Sequence, residues 1–280
     1  MYGRRQFLHF TLKNAFLMTA GNQLFPLLSR TGSLPATSKV ALRFAIASDG
    51  HYGQENTEYE ARHDLVIRAL NTEYKGRGID FTFVNGDLFH NDPRHFEPVK
   101  KKWDGLRMPW HASHGNHDMV GEAEWKQMTG QDWYYGFEQG PCGFVVLNTA
   151  DAAGEYTCPE LEKTKVLLEQ HGHHPFLFVF MHITPRKWTS AGIHCPELVD
   201  LFNRQPNLKA VFHGHDHDQE GAWMKEGISY LFDAHVAGNW GLPYTGYRIV
   251  EVMKDGSILT YQMNAGTGKE VNRYELGLPK

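Results

Sequence analysis

Aspartate, asparagine and histidine residues follow five separate apolar segments of this 280-residue chain. They are Asp49 and His51; Asp87; Asn116, His117 and Asp118; His182; and His215 and His217. The apolar segments have the length and composition of β-strands, and ligands of α/β sheets gather beyond the carboxyl ends of strands. Nitrogen and oxygen donors without a thiolate favour Mn, Fe, Zn or Ni. We therefore expect a transition-metal site in one crevice.

This set of donors suits the hydrolysis of a phosphate ester, a reaction that is extremely slow in water. Two cations about 3.5–4 Å apart can hold a nucleophilic hydroxide and neutralise charge on the phosphoryl oxygens. One carboxylate must then bridge both ions.

The segment VFHGHDHD, residues 211–218, places three histidines at alternate positions. In a continuing strand, His213, His215 and His217 would share one face. Gly214 instead favours a turn in which the backbone closely approaches another group. A polar loop after a buried strand is the alternative interpretation, because only the surroundings distinguish a metal-binding imidazole from a solvated one.

Strands and helices alternate along the chain. Apolar runs bounded by turn residues predict strands at residues 40–47, 79–84, 143–147, 175–181 and 208–212. Helical patterns, three of them with proline at or near the first helical position, occupy residues 57–75, 93–103, 159–170 and 196–203. Residues 244–252 and 257–263 flank a turn and predict an antiparallel hairpin. The pattern predicts one α/β domain of mixed sheets with flanking helices.

The polar segments read, in chain order, D-G-H at 49–51, G-D at 86–87, G-N-H-D at 115–118, H at 182 and G-H-D-H at 214–217. This order resembles the calcineurin-like metallophosphoesterase superfamily over nearly all of residues 40–265. The resemblance implies a four-layer αββα sandwich of two mixed β-sheets flanked by helices. It also implies hydrolysis of phosphate esters that depends on two divalent or trivalent transition-metal ions.

The resemblance further implies two metal sites that share Asp87 as the bridging carboxylate. The ligands that complete the two sites are Asp49, His51 and His217 for one, and Asn116, His182 and His215 for the other. His213 lies outside the motif, and we expect it at the strand end or behind the ligands.

His117 resembles the family residue that contacts the phosphate and protonates or stabilises the leaving oxygen. Asp118 is expected to fix the His117 ring, as carboxylates often orient catalytic imidazoles, and a loop-capping aspartate is the alternative. Three aromatic residues beside the motifs, Tyr52, Trp188 and Trp240, can stack on a base or sugar. The remaining histidines are expected to be structural: His63, His90, His95, His111, His114, His171, His173, His174, His194 and His235.

Departures from neighbouring subfamilies narrow the interpretation. Purple acid phosphatases resemble this pattern but lack a histidine at the position of His51 and have tyrosine at that of His90, so a purple enzyme is disfavoured. The segment GDLFHN, residues 86–91, resembles the corresponding segment of the double-strand-break repair nucleases. The segment GNHD, which is followed by short connections between the predicted elements, resembles that of bacterial phosphodiesterases. We expect a phosphodiesterase or phosphatase that acts on a small phosphorylated metabolite. A nuclease and a non-catalytic protein that binds a phosphorylated ligand are the alternatives.

The N-terminal segment GRRQFLHF, residues 3–10, resembles a twin-arginine (Tat) export signal, although Gly3 and His9 depart from the usual residues. The apolar stretch that follows is interrupted and lacks the roughly 20 apolar residues of a spanning helix. We expect residues 1–38 to be an export signal and leader, and residues 39–280 to form the exported domain in the periplasm or outside the cell. A basic amphipathic leader or an uncleaved anchor is the alternative.

Charge argues against a nucleic-acid partner. The four basic residues of the first 35, Arg4, Arg5, Lys13 and Arg30, are accompanied by no acidic residue. Because the whole chain has 28 basic and 32 acidic residues, the part beyond the leader carries an excess of eight negative charges. Polyanions are repelled by such a surface on average, so we expect a small-molecule substrate.

Three cysteines, Cys142, Cys158 and Cys195, allow at most one disulfide within the chain. Cys158 and Cys195 each precede Pro-Glu-Leu, and proline at the first helical position marks a helix start, so both are expected to cap helices. A protein exported by the Tat route folds before it crosses the membrane. We therefore expect no obligate disulfide.

Overall fold

A computed structural model describes residues 39–276, together with two short N-terminal strands, β1 (Phe16–Thr19) and β2 (Gln23–Pro26), which pair in antiparallel orientation. The rest of the expected export signal, including Arg4 and Arg5, lies outside the described residues. No helix in the described part is long and apolar enough to cross a membrane.

Strands and helices mostly alternate over residues 40–213, and residues 222–276 form five further strands. In chain order they are β3 (Val40–Ala47), α1 (Tyr59–Arg77), β4 (Phe81–Asn85), a 3-10 turn (Pro93–His95), α2 (Phe96–Trp103), β5 (Trp110–Ser113), α3 (Glu122–Thr129), β6 (Tyr135–Gln139), β7 (Cys142–Leu147), α4 (Leu161–His171), β8 (Phe176–Met181), α5 (Pro196–Asn203), β9 (Leu208–His213), β10 (Ala222–Lys225), β11 (Ile228–Phe232), β12 (Gly246–Met253), β13 (Ile258–Asn264) and β14 (Lys269–Leu276).

The strands form two mixed sheets of six. The first sheet has the order β14-β13-β12-β3-β4-β5, in which β3, β4 and β5 are parallel and the other pairs are antiparallel. The second has the order β10-β11-β9-β8-β7-β6, with a parallel centre and an antiparallel strand at each edge. The carboxyl ends of β3, β4 and β5 meet those of β8 and β9 at one edge of the sandwich.

Three apolar layers hold these elements together. Aromatic rings fill the space between the sheets, where Phe83 stacks on Phe180 at 3.7 Å. The outer face of the first sheet is covered by α1, α2 and α3, which bury Leu70 and Trp125 there. The outer face of the second sheet is covered by α4 and α5, which bury Phe202. The predicted four-layer αββα sandwich is confirmed.

The structure contains a disulfide that the sequence did not lead us to expect, and it corrects the expected helix-capping position of Cys158. Cys158 and Cys195 form a disulfide, with Cα atoms 5.7 Å apart. Cys195 is the N-cap of α5, as predicted, but α4 begins at Leu161 after Glu160, so Cys158 precedes that helix. The two helices pack on the same sheet face, which brings the segments before them together. Spacing along the sequence does not reveal this proximity.

Candidate metal centre and active site

The residues that leave the central strands adopt unusual backbone conformations. Asp49, His51, Asp87 and His215 have positive φ angles of 56°, 42°, 53° and 66°. Residues other than glycine seldom adopt this left-handed conformation, and such strain persists where the surroundings hold it, often at functional sites. Four of the seven predicted metal ligands therefore lie on backbone that the surrounding fold must hold in place.

Two motif glycines stand where no side chain fits. A Cβ atom at Gly115 would lie 2.3 Å from Oδ1 of Asp87, and one at Gly214 would lie 2.6 Å from Oδ2 of Asp49. Gly214 thus lets the loop after β9 turn directly against a carboxylate, as the sequence predicted. A side chain at either glycine would therefore force the neighbouring loop to shift.

One group of donors contains Asp49, His51 and His217, all buried. Nε2 of His217 lies 3.2 Å from Oδ1 of Asp49 and 3.0 Å from Nε2 of His51. Donors around one transition-metal ion, with bonds of about 2.0–2.2 Å, stand at roughly such separations.

A second group contains Asp87, His182 and His215, also buried. Oδ2 of Asp87 lies 3.2 Å from Nε2 of His182 and 3.5 Å from Nε2 of His51, which belongs to the first group. This carboxylate therefore stands between the two groups. Near the second group, Oδ1 of Asn116 and Nε2 of His215 are buried and have no hydrogen-bond partner in the described part of the chain.

Hydrogen bonds at the opposite ring nitrogens fit a metal-binding role. Nδ1 of His182 donates to the Asn85 carbonyl at 2.7 Å, and Nδ1 of His217 faces the Trp240 carbonyl at 3.4 Å. Metal-binding histidines commonly donate their second N–H to a backbone carbonyl, which fixes the tautomer and turns the other nitrogen toward the ion. The residues of the two donor groups thus fit a pair of transition-metal ions.

Electrostatics favour the metal-binding protonation states at two positions. Burial would raise the pKa of Asp87, but the imidazoles of His182, His51 and His117 hold it well below the usual value. Burial, assisted by the positive charge of His182, lowers the pKa of His215 to about 4. Metal binding needs an ionised carboxylate and a neutral imidazole, and the folded chain favours these states at Asp87 and His215. At His182 burial would lower the pKa, but the carboxylates of Asp87 and Asp49 raise it to about 10, so metal binding must displace a proton there.

His117 lies at the cleft beside the donors, and its backbone N–H donates to Oδ1 of Asp87 at 2.8 Å. Its Nδ1 atom lies 2.7 Å from Oδ1 of Asn91. The ring of His90 stacks on the His117 ring at 4.6 Å, and its Nδ1 lies 3.1 Å from Nδ1 of His51. His90 therefore contacts both the acid candidate and a predicted ligand, although the sequence suggested only a structural role for it.

The expected contact between Asp118 and the His117 ring is absent. The Asp118 carboxylate instead accepts the backbone N–H groups of Phe89 and Gly115, each at 3.0 Å. Burial, together with the nearby Asp87 carboxylate, raises the pKa of Asp118 to about 8. Asp118 is a loop cap that ties the loop after β5 to the loop after β4, and Asn91 takes the place at the ring that we expected for Asp118.

A cleft of about 200 Å³ opens over the two donor groups. Trp240, half exposed, stacks on the His217 ring at 4.6 Å, and the exposed Tyr156 contacts the His215 ring edge-on at 4.9 Å. Tyr52 is buried, and Trp188 stacks on Trp223 away from the cleft. Of the three aromatics singled out in the sequence, only Trp240 lines the cleft.

Several other histidines have structural partners. His213 is the last residue of β9, and its Nδ1 lies 3.1 Å from the Met181 carbonyl. His114 bridges Asn148 and the Asp118 carbonyl. His171, His173 and His174 surround Glu138 away from the cleft.

Sequence reasoning missed Tyr156 as a cleft residue, and it missed His90 and Asn91 as residues that contact the His117 ring. His90 and Asn91 follow Asp87 in GDLFHN, so their position after a strand was a usable signal. Tyr156 lies in an irregular segment, where no periodic pattern identifies it.

The chain belongs to the calcineurin-like phosphoesterase family, since the sequence profile of that family matches residues 42–219. No curated protein matches the sequence significantly.

Solved structures show the same fold at low sequence identity. A dimetal phosphatase from Danio rerio has a TM-score of 0.65 and 13% identity over 85% of this chain and 99% of its own. A purple acid phosphatase from yellow lupin seeds has a TM-score of 0.65 and 11% identity, over 90% of this chain and 55% of its own. GAP50, described as the anchor in the inner membrane complex of Plasmodium, has a TM-score of 0.59 and 16% identity, over 86% and 90%.

Proposed function

We propose that the protein is a phosphoesterase that uses two transition-metal ions to hydrolyse phosphate esters of small molecules. The observation that carries the proposal is the position of Asp87 Oδ2, within 3.5 Å of a histidine from each donor group. Asp87 is then the shared ligand. The remaining ligands are Asp49, His51 and His217 on one side, and Asn116, His182 and His215 on the other.

Two metal ions, when bound, would supply a hydroxide at neutral pH and offset negative charge on the phosphoryl group. The chain itself supplies orientation and a proton. The loops after β4 and β5 hold His117 at the cleft, and Asn91 fixes its ring. His117 thereby serves as the general acid that protonates the departing oxygen.

The cleft supports a small-molecule substrate. Its volume of about 200 Å³ and its lining by Tyr156 and Trp240 fit a phosphoryl group with one or two organic substituents. The Danio rerio protein that shares the fold is a dimetal phosphatase, which is consistent with this chemistry.

The test is hydrolysis of p-nitrophenyl phosphate and bis(p-nitrophenyl) phosphate by protein loaded separately with Mn, Fe, Zn or Ni, with metal content measured for each sample. We expect two ions per chain and hydrolysis with at least one metal. Asp87→Asn should lose both ions and the activity. The exposed His173, remote from the cleft, provides the control variant His173→Asn, which should retain both.

One ion per chain in the wild type would contradict the dinuclear proposal. Two ions without hydrolysis of either ester would instead favour the non-catalytic, ligand-binding alternative.

A further inference from the structure

A second pocket lies beside the metal cleft. It has a volume of about 340 Å³ and is formed by the loop after β3, the first turn of α1 and the loop between β11 and β12. Its polar lining includes Asn56, Glu58, Arg62 and Asn239. Trp240 lines both this pocket and the metal cleft, so the two spaces are neighbours.

The guanidinium of Arg62 is close to the metal centre. Its Nη1 lies 3.4 Å from the Gly238 carbonyl, and a Cβ atom at Gly238 would lie 2.6 Å from Cε1 of His217. The backbone at Gly238, in the β11–β12 loop, therefore lies between Arg62 and the ring of His217, a proposed metal ligand. A substrate whose phosphoryl group is at the metals can extend over Trp240 toward Arg62.

Arg62 is half-buried but has no carboxylate within 4.0 Å among residues 39–276, and its hydrogen bond to Gly238 is long. Arg77, at the other end of the same helix, pairs with Glu73 and donates to the Tyr261 hydroxyl. A guanidinium carries five N–H donors, so most of those on Arg62 remain free for a ligand. Arginine binds carboxylate and phosphate in a two-point geometry.

We propose that this pocket binds a second anionic group, a carboxylate or a phosphate, on the organic part of the phosphate ester, and that Arg62 is the residue that binds it. The proposal rests on the proposed function. The organic group between the two anions lies on the exposed face of the Trp240 indole, whose other contact is the His217 ring. Sugar and other cyclic groups pack well on such a surface.

Glu58 lines the same pocket and opposes the binding of an anion. It precedes α1 as the N-cap residue and is exposed to solvent. Because water screens an exposed charge more effectively than a half-buried one, we expect Arg62 to contribute more than Glu58 to the potential inside the pocket. Removal of the Glu58 charge should therefore strengthen the preference for a second anion, whereas removal of the Arg62 charge should weaken it.

Three sugar esters of matched length test the proposal: glucose 6-phosphate, which has a neutral far end, 6-phosphogluconate, which has a carboxylate there, and glucose 1,6-bisphosphate, which has a phosphate. The measured quantity is kcat/KM for each anionic ester divided by that for glucose 6-phosphate. We expect a ratio above one in the wild type for at least one anionic ester. Preference for 6-phosphogluconate alone would identify the second anionic group as a carboxylate, and preference for the bisphosphate alone would identify it as a phosphate.

Arg62→Gln should lower the ratio for the preferred anionic ester by roughly 10- to 100-fold, the effect expected for a lost charged hydrogen bond. The loss should appear mainly in KM. Arg62→Lys should lower the ratio less, and Glu58→Gln should raise it. The matched control is Arg68→Gln, which removes an exposed positive charge from the same helix and should leave the ratio unchanged.

Equal ratios in the wild type and Arg62→Gln, or equal losses in Arg62→Gln and Arg68→Gln, would overturn the proposal. If the metal-loaded wild type hydrolyses no ester, the proposed function fails and the pocket is tested by calorimetric binding of 6-phosphogluconate and glucose 1,6-bisphosphate. Weaker binding by Arg62→Gln than by Arg68→Gln then supports the pocket. Identical binding by all three proteins rejects it.

Discussion

Asn91 and His117 hold each other through two hydrogen bonds. Nδ1 of His117 lies 2.7 Å from Oδ1 of Asn91, and the backbone N–H of Asn91 donates to the His117 carbonyl at 2.8 Å. An amide oxygen accepts only, so Nδ1 carries a proton in this arrangement, and the proton that His117 donates as an acid must come from Nε2 of the doubly protonated ring. The loops after β4 and β5 thus jointly determine the orientation of the proposed acid.

Asn91→Ala should lower kcat for esters with alkoxide leaving groups by roughly tenfold, a part of the 10² to 10⁴ expected for loss of general acid catalysis in His117→Asn. Nitrophenyl esters should be affected less, because their leaving groups depart unprotonated. The measurement is kcat across a leaving-group series, with metal content checked. Asn91→Asp, which keeps an acceptor at Nδ1, should recover most of the rate. If adding Asn91→Ala to His117→Asn causes a further large loss, Asn91 does not act through His117.

Asp118→Ala should destabilise the fold without a dependence on the leaving group. The substitution removes the acceptor of two buried backbone N–H groups, those of Phe89 and Gly115, and each loss costs about 1–3 kcal/mol. Chemical denaturation measures the loss of stability, and the leaving-group series separates it from catalysis. A selective loss with alkoxide esters would restore the role that the sequence suggested for Asp118.

His63 should make the stability of the protein fall in acid. Burial lowers its pKa to about 4, although its Nδ1 lies 2.7 Å from the Tyr59 carbonyl. In the unfolded chain its pKa is about 6.5, so the unfolded state binds the proton first and stability is lost as the pH falls from about 6.5 to 4. The loss is up to about 3 kcal/mol. The free energy of unfolding of the wild type should therefore fall relative to that of His63→Gln as the pH is lowered from 7 to 4.5, and parallel curves would contradict this assignment.

The Cys158–Cys195 disulfide should be detectable by counting thiols. One thiol, that of Cys142, should react after denaturation without a reductant, and three after reduction. In the native protein Cys142 should not react, because burial raises its pKa to about 12. Replacement of both Cys158 and Cys195 by serine should lower the free energy of unfolding by about 2–4 kcal/mol. Three reactive thiols without reduction would show that the bond does not form.

We propose that export depends on Arg4 and Arg5, which lie in the part of the chain that the structure does not describe. Replacing both with lysine should leave folded, metal-loaded protein in the cytoplasm, since the Tat route requires the arginine pair. Cell fractionation followed by a phosphatase assay measures the distribution. Export of the double variant at the wild-type level would identify the leader as another kind.

The sequence predicted the fold, and it identified the aspartate and histidine residues that the structure brings together, because each signal is local. A strand such as residues 40–47 is an uninterrupted apolar run, and Asp49 follows it directly. Partners that come from different loops were not predictable in this way. The choice of Asn91 over Asp118 at the His117 ring depends on how two loops cross, and the disulfide depends on how two helices pack. Edge strands such as β6, with partly exposed residues, lack the apolar run that identifies a buried strand.

The left-handed backbone at Asp49, His51, Asp87 and His215 limits which mutations these loops can accept during evolution. Aspartate, asparagine and histidine tolerate positive φ better than other side chains, and glycine tolerates it best. The same geometry therefore favours metal-binding residue types and disfavours glutamate and branched side chains. Proteins that evolve from this one and no longer bind the ions should most often carry glycine or asparagine at these positions. Because both residues keep the left-handed loop conformation, such proteins should be inactive but retain the sandwich fold.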